Sequence, residues 1–270
     1  MKEERSKDTA YYAGCDIGST TGKAVILNES GEVVASAIIP STIDPELTAR
    51  EVMARALKGL NEIKDIGELN FIVGTGYGRI ELSFAHKNIS EITCHAVGAH
   101  HVDPLIRTVI DIGGQDCKAI ALNDNGSVID FVMNDKCAAG TGRFFEAISR
   151  AFQMSLKDFS ELSLNSKSPI PISSQCSVFA ESEVISLISQ RKKPADIAAG
   201  VQLSVAKRLL TLARRVGLRE KLTVTGGCAK NLGLLKALQE GINIEVVKLS
   251  FDAQLIGALG VVDLGLRHRV

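Results

Sequence analysis

The 270 residues carry 31 Lys and Arg against 31 Asp and Glu. The formal charge is zero, so no positive field is available for a phosphate backbone, which argues against nucleic acid as a partner. The charged opening from Met1 to Thr9 lacks an apolar segment behind it, and the most apolar late stretch, Ala253 to Val262, is far shorter than a membrane span and ends at Asp263. These features predict a cytoplasmic protein with no membrane segment, of a length suited to one large domain or two modest ones.

Six cysteines, Cys15, Cys94, Cys117, Cys137, Cys176 and Cys228, are scattered with no C-x-x-C pair. That pattern favours reduced thiols over a disulfide framework, and any thiols that bind metal must converge from distant positions.

In chain order, a first strand ends at Asp16 and turns through glycine into a second apolar strand, an Asn/Gly hairpin turn and a third strand, Glu32 to Ile39. Asp44 and Pro45 form a helix N-cap and first-turn pair, followed at helical spacing by Ala49, Val52, Met53, Ala56, Leu57, Leu60 and Ile63. Leu69 to Val73 reads as a strand entering the loop Gly74-Thr75-Gly76-Tyr77-Gly78.

The first unit then recurs. A shift of 95 residues sets DIGSTTGKAVILNESG (16 to 31) on DIGGQDCKAIALNDNG (111 to 126), with eight of sixteen pairs identical, among them Asp16/Asp111, Gly18/Gly113 and Lys23/Lys118. The second copy ends in a strand from Ser127 to Met133. Helices are predicted over Arg143 to Phe152, Val178 to Ser189 and Ile197 to Val216. Strands follow at Leu222 to Thr225, ending in Gly226-Gly227, and at Ile244 to Val247, before a last helix over Ala253 to Leu266.

A strand that ends in Asp and turns through glycine presents unobstructed backbone N–H groups, which suits two such loops to grip a triphosphate. Ser19, Thr20 and Thr21 add hydroxyl donors and Lys23 adds charge. Asp16 and Asp111 suit a hydrated Mg²⁺, and Gln115 could orient an attacking water, because phosphoryl transfer depends on positioning and charge neutralisation. A single DIG could be no more than a tight strand turn. The duplication, with a third glycine turn at Thr225-Gly226-Gly227, favours nucleotide binding.

DIGSTTGK, DIGGQD, VTGGCAKN (224 to 231) and AQLIGALG (253 to 260) resemble the phosphate, adenosine and connecting motifs of the acetate and sugar kinase, heat-shock chaperone and actin superfamily. NDKCAAGTGRF (134 to 144), SSQCSVFAESEVIS (173 to 186), GTGYGR (74 to 79) and SEITCHAVGA (90 to 99) are similar to the activators of 2-hydroxyacyl-CoA dehydratases and the ATPase subunits of benzoyl-CoA reductases. The likeness runs from about Tyr12 to Val262.

This resemblance implies an α/β, two-domain actin-like ATPase fold with duplicated βββαβα units. Residues 1–105 would form the first half, with the helix 253–266 packing back on it, and 106–252 the second half, carrying the cluster cysteines. ATP or ADP would be bound by Ser19, Thr20, Thr21, Gly22, Lys23, Gly113, Gly114, Gln115, Gly226, Gly227 and Gln254. Asp111 and Gln115 would be catalytic, and Asp16 and Asp111 would hold Mg²⁺ through water.

The resemblance also implies that Cys137 and Cys176 ligate a 4Fe-4S cluster. Such a cluster needs four ligands, so one cluster would bridge a twofold homodimer, exposed and sensitive to oxygen. Each of the two cysteines precedes a predicted helix, whose positive N-terminus favours thiolate. ATP hydrolysis would drive a low-potential electron, received from ferredoxin or flavodoxin, into an iron-sulfur partner: a 2-hydroxyacyl-CoA dehydratase, an aryl-CoA reductase or a double-cubane-cluster reductase.

Cys15, Cys117 and Cys228, in the glycine turns, are assigned no ligand role. Cys94, His95, His100 and His101 read as satisfied or solvent-facing rather than metal-binding, and Glu146, Glu181 and Glu183 as solvated or capping. The alternatives to an activator are a small-molecule kinase of the same fold, which would need a carboxylate base that does not stand out, and a nucleotide-controlled scaffold, which leaves the cysteine motifs unexplained.

Overall fold

The structure, a computed structural model, describes residues 10–135, 137–173 and 176–267. It forms two compact units, one running to His101 and resuming at Leu255, the other spanning Val102–Gln254.

In the first unit, β1 (Tyr12–Ile17), β2 (Thr21–Leu27) and β3 (Val33–Pro40) form an antiparallel meander, and α1 (Pro45–Leu57) leads to β4 (Phe71–Thr75), which pairs parallel to β1. Asp44 caps α1 by accepting the Leu47 N–H at 3.1 Å, with Pro45 in the first turn where its missing N–H costs nothing. A short β5 (Lys87–Asn88) completes the order β3-β2-β1-β4-β5 and precedes α2 (Glu91–Val102).

The second unit repeats this plan. β6 (Thr108–Ile112), β7 (Cys117–Leu122) and β8 (Val128–Asn134) form the meander, followed by α3 (Gly142–Ala151), α4 (Leu156–Ser163), α5 (Ser177–Ser189) and α6 (Pro194–Arg215). Then come β9 (Leu222–Thr225), parallel to β6, α7 (Leu232–Glu240) and β10 (Val246–Val247), giving the order β10-β9-β6-β7-β8. The repeat extends to detail: Asp16 pairs with Lys23 as Asp111 pairs with Lys118, and the register shift at Ile26/Leu27 recurs at Ala121/Leu122.

β1, β6 and β7 are buried along their whole length, so their apolar residues do not alternate with exposed polar ones. α6 presents Ile197, Val201, Val205 and Leu209 at four-residue spacing, all at 1% exposure or less, to the core of the second unit with Phe144, Phe145 and Phe159.

The final helix, α8 (Ile256–Arg267), starts three residues later than the sequence predicts, because the Ala253 carbonyl is used to bind the Gly226 N–H at 3.0 Å. It packs on β1, β4 and α2. Its crossing with α2 is close enough that a Cβ at Gly260 would collide with the Cys94 carbonyl, and one at Gly98 with the Ile256 carbonyl. Among the described residues no helix is long and apolar enough to cross a membrane.

Candidate functional site

Each unit carries the same loop at the end of its first strand. In the first, Gly18 N–H donates to Thr21 O at 3.1 Å, closing the turn that holds Ser19 and Thr20. The Ser41 hydroxyl donates to Gly18 O at 2.8 Å and its N–H to Thr20 O at 2.9 Å, tying the turn to the end of β3. In the second, Gly113 N–H donates to Asp116 O at 2.9 Å around Gly114 and the exposed Gln115. Gly22 lies inside β2, buried, with its missing Cβ facing Thr48 and Ile17, so it serves packing as well as the loop.

The two strand-end carboxylates are each 4% exposed. Asp16 Oδ2 lies 3.3 Å from Lys23 Nζ, and Asp111 Oδ2 lies 3.4 Å from Lys118 Nζ, which also reaches Asp116 at 2.6 Å. Charges this buried persist because each has an opposite partner on the adjacent strand. Oxygen donors beside glycine turns fit a hydrated Mg²⁺, a hard cation that keeps much of its water.

A second glycine turn supports each carboxylate. Gly76 (φ +87°) and Gly226 (φ +82°) end β4 and β9, and a Cβ at either would strike the neighbouring aspartate or the carbonyl of the residue after it. Thr225 Oγ1 donates to Asp111 Oδ1 at 3.0 Å. The matching Thr75 Oγ1 instead donates to Ile89 O at 2.9 Å. Neither threonine was singled out by the sequence, although T-G after an apolar strand occurs in both copies.

The third loop brings Gly226, Gly227 and Gln254 together. Lys230 Nζ contacts Asp252 Oδ2 at 2.9 Å and Gln254 Oε1 at 3.2 Å, so the segment before α8 is held against the glycine turn.

The second phosphate-type loop is bonded directly to α3. Gly113 O accepts the Gly142 N–H and Gly114 O accepts the Arg143 N–H, both at 2.9 Å. On the other side of the same segment, Asn134 Nδ2 donates to Cys137 O at 3.1 Å.

Of the six cysteines, Cys137 and Cys176 are the two that are exposed. Each precedes a helix, as the sequence predicts: Cys176 is the N-cap of α5, and Cys137 lies four residues before Thr141, the N-cap of α3. The intervening Ala138–Gly140 turn, with Gly140 at φ +111°, takes the chain from Cys137 to the helix. Burial lowers the Arg208 guanidinium on α6 from its ordinary value, opposed by the charges of Cys137 and Cys176.

The remaining thiols are held neutral by burial, which pushes Cys94 and Cys228 up to about 12 and Cys117 to about 11, and raises Cys15 as well. Two exposed thiols are half of the four thiolates a 4Fe-4S cluster takes. They fit as half of a shared site. Among the described residues no three His, Cys, Asp or Glu side chains converge on one point.

Comparison with known proteins agrees with this arrangement of loops. The chain is 43% identical over 253 residues to a 2-hydroxyisocaproyl-CoA dehydratase activator of Clostridioides difficile, covering 93% of this chain and 92% of that protein. Among solved structures, component A of the (R)-2-hydroxyglutaryl-CoA dehydratase of Acidaminococcus fermentans superposes with a TM-score of 0.91 at 40% identity, over 96% of this chain and 98% of that one. The Clostridium difficile activator of 2-hydroxyisocaproyl-CoA dehydratase with bound ADPNP superposes with a TM-score of 0.89 at 41% identity, over 95% and 94%. The fold is that of the actin-like ATPases. The family described as BadF/BadG/BcrA/BcrD ATPase matches residues 13–265, and with two copies of its phosphate-type loop on a duplicated sheet the chain belongs to this ATPase family.

Proposed function

We propose that this ATPase is a reductive activator that works as a homodimer, with Cys137 and Cys176 of each copy holding one bridging 4Fe-4S cluster. When bound, the cluster supplies a single low-potential electron, received from a ferredoxin or flavodoxin. The partner is an iron-sulfur enzyme of the kind the relatives' names specify, a 2-hydroxyacyl-CoA dehydratase, or else an aryl-CoA or double-cubane-cluster reductase.

Within each chain the loops at Ser19–Lys23 and Gly113–Gln115 bind the phosphates, and Gly226, Gly227 and Gln254 the adenosine. Asp16 and Asp111 hold Mg²⁺ through water, and Gln115 orients the attacking water. What carries the reading is the pair of hydrogen bonds from Gly142 and Arg143 to Gly113 and Gly114. A change in the phosphate loop moves the start of α3, which packs on α5 and adjoins both cysteine segments. This is the kind of switch by which γ-phosphate contacts act on a distant site.

The test is Cys137→Ser, purified anaerobically. The variant should lose the iron and brown colour of the wild type while still binding ADP. Wild-type iron content in the variant, or a wild type without iron, sinks the proposal.

A further inference from the structure

Asp16 and Asp111 occupy the same register position in their sheets, and each is paired with a threonine on the neighbouring parallel strand: Asp16 with Thr75, Asp111 with Thr225. All four are buried, the aspartates at 4% exposure and the threonines at 0%. The two hydroxyls nevertheless go to different acceptors. Thr225 Oγ1 donates to Asp111 Oδ1 at 3.0 Å, whereas Thr75 Oγ1 donates to Ile89 O at 2.9 Å. The carbonyl that takes the Thr75 hydroxyl belongs to the residue after β5, which the bond from Ile89 N–H to Gly74 O keeps beside β4.

The last torsion of an aspartate side chain is broad, so a carboxylate at a strand end does not fix its own plane. Asp111 is held at both oxygens. Oδ1 accepts the Thr225 hydroxyl, and Oδ2 lies 3.4 Å from Lys118 Nζ. Lys118 is nearer to Asp116, at 2.6 Å, so the hydroxyl is the shorter of the two contacts on Asp111. The next residue, Gly226, leaves room for this: a Cβ there would stand 2.9 Å from Oδ1. Asp16 has Lys23 Nζ at 3.3 Å from Oδ2, with the hydroxyl of its paired threonine engaged elsewhere.

We infer that Thr225 is a positioning residue for the ATPase: its hydroxyl holds the Asp111 carboxylate in one orientation, ready for the water shell of the cation. The inference rests on the Mg²⁺ role proposed for Asp111. Because Thr225 also leads into the Gly226-Gly227 turn, the same residue ties that turn to the carboxylate. Thr75 has no such task, although the repeat relates the two threonines.

The test titrates Mn²⁺ into wild type, Thr225→Val, Thr225→Ser and Thr75→Val, all saturated with ADP, and reads free Mn²⁺ by electron paramagnetic resonance. Valine keeps the branched shape of threonine and loses the hydroxyl, while serine keeps the hydroxyl and loses the methyl. Thr225→Val should weaken Mn²⁺ binding about tenfold or more, the effect of losing a group that orients a cation-binding carboxylate, whereas Thr225→Ser and Thr75→Val should stay within about twofold of wild type. ADP affinity in excess EDTA should be the same in all four.

Thr225→Ala removes the hydroxyl without setting a methyl against the carboxylate. It should also weaken Mn²⁺ binding, and it carries the test if the valine protein does not fold. Wild-type Mn²⁺ binding in the hydroxyl-free variants at position 225 overturns the inference. Equal weakening by Thr225→Val and Thr225→Ser overturns it too, because that indicates packing alone, as does equal weakening by Thr75→Val, which indicates a general loosening of the sheets. A wild type that shows no ADP-dependent Mn²⁺ binding overturns the Mg²⁺ reading itself, and this inference with it.

Discussion

The carbonyl oxygen of Gly113 accepts the amide N–H of Gly142 at 2.9 Å, joining the second phosphate loop to the first residue of α3. Gly142→Pro removes that donor without breaking the helix, because proline suits the first helical position and Thr141, at φ −114° and ψ 172°, has the extended backbone a residue before proline needs. The variant should stay folded but lose the effect of ADPNP on the alkylation rate of Cys137, measured by mass spectrometry on reduced, iron-free protein. An unchanged ADPNP effect would show that the loop does not act through this bond.

The six thiols should divide by exposure. In native, reduced, iron-free protein at pH 8, iodoacetamide should modify Cys137 and Cys176 well before the four cysteines whose thiols burial holds in the neutral form. Rapid labelling of Cys94 or Cys117 by peptide mapping contradicts this.

The same burial predicts a pH dependence of stability. A thiol whose folded pKa is raised above its unfolded value deprotonates more readily in the unfolded chain, so its contribution is intact below the unfolded value and is lost as pH rises. From an ordinary value of 9.0 to about 11 for Cys117 and about 12 for Cys94 and Cys228, the loss begins above pH 9. Melting temperature should fall between pH 9 and 11, and Cys228→Ala should fall less steeply.

Lys118 and Asp111 are 3% and 5% exposed at their side chains. Lys118→Met should cost about 3–5 kcal/mol in urea unfolding, the range for leaving one charge of a buried pair uncompensated. Lys23→Met should cost less, since Lys23 is 13% exposed and water can take over part of its role.

Backbone strain and steric collision can be separated at two glycines with the same φ of +82°. Gly31 has nothing within 4 Å of where a Cβ would stand, so Gly31→Ala should cost only the left-handed backbone term, about 1–2 kcal/mol. Gly226→Ala adds a collision with Ile112 O and an approach of 2.9 Å to Asp111 Oδ1, and should lose more stability and also ADP affinity, measured by calorimetry. Equal costs would mean that the β9 turn relaxes freely.

Much of the fold was legible because local chemistry repeats. Asp16, Gly18 and Lys23 recur at Asp111, Gly113 and Lys118, and an alternation of apolar strand, glycine turn and Asn/Gly hairpin yields the same meander twice. α2 was not legible. Cys94 through Ala99 are all buried, so the helix carries no one-sided apolar stripe from which a period could be read. α4 and α7, at eight and nine residues, are too short for a firm periodic signal.

By itself, then, the sequence determined the duplicated loops, the recurrence of a lysine seven residues after each strand-end aspartate, and the two cysteine motifs. These depend on contacts between near neighbours, where residue type and spacing dictate the geometry. Only the tertiary structure decided that Thr225 holds Asp111 while Thr75 turns away from Asp16. The strand pairings behind these relations join residues 59 and 114 positions apart, which no local pattern encodes.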